Sequence, residues 1–161
     1  MKDLFGEIKK DALFSPCGKH RIWLCRVWDD NKPLIMFIGL NPSTANAETD
    51  DPTIRRIKTI ANNLGYGGFY MMNLFTYIST DPTKLNIEKG NVNLADRHLK
   101  HVSTKCNIVV FAWGNFRVFG RDEEVKKMFP YAAALHINKN GSPKHPLYCK
   151  SDIKLKRFNN E

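Results

Sequence analysis

Apolar and polar positions along the chain fall into short segments of two different periods. Residues 21–28 alternate, with Ile22, Leu24 and Arg26 on one face and Trp23, Cys25 and Val27 on the other, which predicts an outer strand. Asp29-Asp30-Asn31-Lys32-Pro33 is turn chemistry, and Leu34-Ile35-Met36-Phe37-Ile38 is continuously apolar, as expected of a strand covered on both faces. After a loop over residues 39–51, residues 52–64 carry Ile54, Ile57, Ile60, Ala61 and Leu64 at the spacing of an amphipathic helix. Asp51 suits its N-cap, Pro52 its first position, and Gly65 its end.

The same alternation of elements continues. Residues 69–75 predict a second buried strand, 76–90 an irregular loop with turn signals at Asp81-Pro82, and 93–105 a helix. Residues 107–114 form a third apolar run ending in glycine, 116–129 suit a helix interrupted near Gly120, and 132–137 make a short fourth strand. Four apolar strands separated by helices predict the α/β class: a three-layer α/β/α sandwich around a central four-stranded, mostly parallel sheet, plus the N-terminal outer strand. Ligands of such sheets bind outside the carboxyl ends of the strands. Asn41, Asn73, Gly114 and residues 141–148 each follow a strand and should converge there.

Composition narrows the class without naming a reaction. A chain of 161 residues with 42% hydrophobic and 11% aromatic residues fits one globular domain over 1–161. The sequence has no apolar run of membrane-spanning length and no signal-peptide segment at its start, so a cytoplasmic protein without a membrane partner is expected. Cys17, Cys25, Cys106 and Cys149 are widely separated, form no C-x-x-C pair, and read as reduced thiols. The formal charge of +9 favours polyanions, either nucleic acid or a nucleotide. Much of the excess lies in the basic segment 139–161, which includes Lys139, Lys144 and Lys150 as candidate backbone contacts, although a merely solubilising tail has the same composition.

Several residues carry usable chemistry. Gly39-Leu40-Asn41-Pro42-Ser43-Thr44 couples a flexible residue, an amide and a φ-fixing proline, which suits recognition of a small polar ligand or a tight turn capped by Asn41. Asn73, after three apolar residues, needs a donor and an acceptor, and those two groups match one edge of a nucleobase or neighbouring backbone. His145 in a proline-bounded loop can donate to a developing negative oxygen, or simply be solvated. Asp51 is a helix cap or, like Asp50, a general base. No metal is expected, since His98 and His101 lack a metal-binding spacing and the Asp50-Asp51 pair lacks further ligands. No cofactor is expected either, because Gly65-Tyr66-Gly67-Gly68 precedes a strand instead of opening a helix.

Three passages taken together resemble a known family. Gly39-Leu40-Asn41-Pro42-Ser43-Thr44 with Asp50-Asp51-Pro52-Thr53, Asn73-Leu74-Phe75, and Ala112-Trp113-Gly114 with residues 141–148 look like the signature of domain-of-unknown-function family 1643, from about Arg21 to Tyr148. The same pieces more distantly resemble the uracil-DNA glycosylase superfamily. That likeness implies hydrolysis of an N-glycosidic bond, with a base rotated out of DNA into the pocket. Asn41 would position water, Asn73 would read the base, Phe75 or Tyr148 would stack on it, and His145 would stabilise the departing base. Asp51 or Asp50 would assist as base, and Gly39, Leu40, Pro42, Ser43, Thr44, Trp113 and Gly114 would complete the binding surface. The final motif of that superfamily is longer than His145-Pro146-Leu147-Tyr148. The expectation is a nucleobase-processing hydrolase of DNA-glycosylase type. The alternatives are an enzyme acting on free nucleotides or nucleosides, and a non-catalytic nucleic-acid or nucleotide-binding module.

Overall fold

The segments that read as strand in the sequence pair within one sheet because their backbone groups have no other partner in an apolar interior. A computed structural model of the protein describes residues 6, 8–81, 89–116 and 118–158. In chain order the elements are β1 (Lys9–Phe14), β2 (Arg21–Val27), β3 (Leu34–Gly39), α1 (Pro52–Asn63), β4 (Gly68–Asn73), α2 (Lys89–Ser103), β5 (Ile108–Phe111), α3 (Arg121–Met128), β6 (Ala133–Ala134) and β7 (Lys156–Arg157). A short 3-10 turn, Pro146–Tyr148, lies between β6 and β7.

The α/β class holds, but the sheet is larger and more mixed than expected. It has seven strands in the order β1-β2-β4-β3-β5-β6-β7. The central β4, β3, β5 and β6 pair in parallel, while β1 and β2 on one side and β7 on the other run antiparallel to their neighbours. The four-stranded, mostly parallel sheet is therefore corrected to a seven-stranded mixed one. The segment expected to be outermost, β2, lies inside β1. Charged Lys9, Lys10 and Asp11 mark that edge strand, a pattern that discourages pairing with another chain.

Strand alternation divides the interior into two clusters. Ile35, Phe37, Phe69, Met71 and Val110 face Ile54, Ile57 and Ile60 of α1, while Met36, Ile38, Tyr70, Met72 and Phe111 face Leu99 and Val102 of α2 and Val125 of α3. Helix α1 starts as the sequence indicates, with Asp51 accepting from Ile54 N at 2.9 Å and Pro52 opening the first turn. The expected helix over 116–129 is confined to Arg121–Met128, because Phe119 (φ 55°) and Gly120 (φ 81°) are both left-handed. The expected strand over 132–137 stops at Ala134, since the chain then folds back and Ile137 bridges Pro143. Part of the loop expected over 76–90 lies outside the described residues. Among those residues no helix is long and apolar enough to cross a membrane.

Candidate functional site

Parallel β3 and β4 end level with each other, Gly39 beside Asn73. By alternation both face α1, and their ends meet the first turn of that helix. Here lies a cavity of about 210 Å³, lined by Gly39, Leu40 and Asn41 after β3, Asn73, Ser79 and Thr80 after β4, and His145, Leu147 and Tyr148 beyond β6. Arg21, Ser43, Asp51, Thr53, Ile54, Met71 and Phe116 complete the wall. The expected convergence of Asn41, Asn73 and His145 on one space is thus present.

Asn73 is the most unusual member. It is 3% exposed, and neither its Nδ2 nor its Oδ1 has a hydrogen-bond partner. Buried polar side chains are nearly always paired, and a buried orphan costs about 1–3 kcal/mol. Gly39 makes room for this amide: a Cβ there would stand 2.9 Å from Asn73 Oδ1 and 2.6 Å from Met71 Cε. A residue with a side chain at 39 would therefore push into both.

Asn41 has a different position from Asn73. Its Nδ2 donates to the carbonyl oxygens of Pro42 and Ser79, at 3.0 and 2.9 Å, which fastens the loop after β3 to the loop after β4. Its Oδ1 is the atom with which it can address a ligand. Asp51 is the single acid among the described lining residues, with Oδ1 committed to capping α1.

His145 Nδ1 accepts from Leu147 N–H at 3.2 Å, so in the neutral ring the hydrogen resides on Nε2. Burial pushes the imidazole pKa below its ordinary value, against the opposing pull of Asp51. A histidine whose folded pKa is depressed stabilises the fold above its unfolded pKa, near 6.5, and loses that contribution as pH falls towards the folded value. The melting temperature of the protein should therefore drop as pH falls below about 6.5, and His145→Gln should shrink that drop in a pH series of thermal melts. An unchanged slope in the variant would contradict the neutral, acceptor-bound ring.

Sequence reasoning missed Arg21. It is 2% exposed, lines the cavity, and donates from Nη1 to Ala45 O at 3.1 Å, while its Nε has no partner. Burial lowers its pKa to about 10, with Asp51 opposing, so the guanidinium remains charged at neutral pH.

Other expected site residues lie elsewhere. Asp50 is bound to Arg26 Nε at 3.0 Å and to Lys58 Nζ at 2.7 Å, and belongs to an ion-pair cluster outside the cavity wall. Trp113 is 1% exposed and packs its ring on Phe111 with centroids 4.6 Å apart, making it a core residue. Gly114, at φ 79°, donates from its N–H to Pro143 O and supports the His145 loop from behind. Phe75 is buried and lines a second cavity with Val118, Phe119 and Arg121. Pro42 is buried and contributes a carbonyl to the loop, and Thr44 is exposed. Lys139 and Lys150 are exposed and Lys144 half-buried, and none of the three lines the cavity. Among the described residues no three His, Cys, Asp or Glu side chains gather as a metal site.

Comparison with known proteins places a family model on the chain. The family model described as "Protein of unknown function (DUF1643)" matches residues 21–147, which include every described residue of the cavity wall except Tyr148. No curated protein and no solved structure matches the chain.

Proposed function

The chain belongs to the DUF1643 family, and from that premise we propose that its cavity takes a nucleobase and that the protein hydrolyses the N-glycosidic bond of a uracil-like or modified base in DNA. The observation that carries this reading is the buried, unpartnered amide of Asn73. An amide offers adjacent donor and acceptor atoms, the complement of the edge of a base that has a ring N–H beside a carbonyl. Both amide atoms are shut off from water in the free protein. Met71, a flexible thioether in the same wall, is the residue that turns aside to admit the base edge.

The remaining wall supports the same chemistry. Asn41 Oδ1 orients a water molecule, and Asp51 takes a proton from it as the water attacks the sugar carbon. Neutral His145 donates a hydrogen bond from Nε2 to the departing base. Tyr148, 73% exposed at the mouth, gives the base or its neighbour a face on which to stack.

Incubation with single- and double-stranded oligonucleotides containing uracil, hypoxanthine or phage-type modified bases, followed by alkali, tests the proposal. Strand breaks are expected with the native protein and not with Asp51→Asn or His145→Ala. If no base is released from any of them, DNA-glycosylase activity is ruled out for this set. One observation favours a second substrate, a free nucleoside: none of Lys139, Lys144 and Lys150 lines the cavity. Release of base from nucleosides but not from oligonucleotides would select it, and binding would then respond little to salt.

A further inference from the structure

The cavity wall holds a second buried orphan, and its position results from an irregularity in β2. Opposite β1, Leu13 pairs with Trp23 but the next residue, Phe14, pairs with Arg21, so Ile22 is an extra residue in β2. Such a bulge re-aims the side chains beyond it. Strict alternation would send Arg21 to the side of Trp23 and Cys25; instead it reaches Ala45 O and the cavity under α1. A guanidinium has five donors and no acceptor. Whatever completes Arg21 must therefore present an acceptor.

Charge makes the requirement stricter. With His145 neutral, Arg21 has the only formal positive charge among the described lining residues, and Asp51 the only negative one. A cation enclosed at 2% exposure acts through little intervening water, so its field at the cavity is strong.

We propose that Arg21 holds the negative oxygen of the ligand, the carbonyl oxygen of the base on which charge gathers as the base departs. This rests on the nucleobase reading given above. Water oxygen bonds to the anomeric carbon of the sugar while the carbon–nitrogen bond breaks and leaves its electron pair on the base. The water's proton passes to Asp51, and the base's new charge spreads onto its carbonyl oxygen beside Arg21. Solvent then protonates the released base, and Asp51 returns its proton to solvent. Arg21 supplies the charge in this step, and His145 supplies a neutral hydrogen bond.

Two free pyrimidines of similar outline test the assignment by calorimetric titration at neutral pH: barbiturate, whose ring oxygens share a full negative charge, and neutral uracil. The native protein should bind barbiturate about tenfold or more tightly than uracil, the scale of a hydrogen bond to a charged group. Arg21→Gln should abolish that preference, and Arg21→Lys should retain part of it. Uracil binding without a preference for barbiturate, or a preference that survives in Arg21→Gln, overturns the role of Arg21 and leaves the nucleobase reading standing. Failure to bind either pyrimidine overturns both. Should Arg21→Gln not fold, the native comparison and Arg21→Lys decide the matter.

Discussion

Asn73→Leu should make the free protein more stable while abolishing its ligand binding. Leu shares the branched outline of Asn, and at 3% exposure it would replace two unpartnered polar atoms with apolar ones. Removing a buried orphan amide is worth about 1–3 kcal/mol. For a chain of this size that amounts to about 2–4 °C of melting temperature per kcal/mol. The same change deletes the donor and acceptor that recognise a ligand, so base release should vanish. Opposite movement of stability and activity is the diagnostic outcome, since a residue kept for packing would lose both together. A melt at or below that of the native protein, with base release intact, would show the amide to be structural.

The second large effect concerns Asp50, whose neighbours make it a structural acid. Asp50→Asn keeps its volume but leaves Arg26, 0% exposed, and Lys58, 5% exposed, as two buried cations without their carboxylate. Breaking a buried pair in this way costs about 3–5 kcal/mol, enough to leave most chains of this size marginal. Burial alone would raise the Asp50 pKa, but Lys58 and Arg26 outweigh it and hold the pKa below its ordinary value. A carboxylate depressed by folding contributes stability above its unfolded pKa, about 3.9, and loses it as pH falls through the folded value. Native protein should therefore unfold in acid below about pH 4, and Asp50→Asn should lack that part of the acid transition. Chemical denaturation at pH 7 and pH 3 measures both effects. Equal stability of the two proteins at pH 7 would refute the ion-pair assignment.

Much of the site was legible because it sits where strands end. Gly39, Asn41 and Asn73 each interrupt an apolar run, His145 lies in the loop after the fourth strand, and parallel topology brings such strand ends to one side of a sheet. Asp51 was legible as a cap, because Asp-Pro before a helical pattern is a local signal. Arg21 was not, because face assignment by alternation fails at a bulge, and the extra residue Ile22 leaves no local mark. Trp113 was misplaced for a related reason: an aromatic at a strand end suits a pocket and a core equally, and contacts with Phe111 and Phe158 decide for the core. Asp50 and Asp51 are adjacent in sequence but face different surroundings, the one towards Arg26 and Lys58 and the other towards the cavity. The edge strands β1 and β7 have short or half-exposed patterns that resemble loops. Their place depends on distant partners.

The path of the loop after β3 is fixed through its main chain. Arg21 holds the carbonyl of Ala45, and Arg26 holds those of Asn46 and Thr49, at 2.6 and 3.2 Å. Every residue type has a carbonyl oxygen, so these clamps do not depend on which side chains the loop displays. The exposed Thr44 and Glu48 can therefore vary without altering the loop's trajectory. Two arginines inside the sheet thus give the protein a rim that can diversify, through selection or in a designed library, above a floor that stays in register.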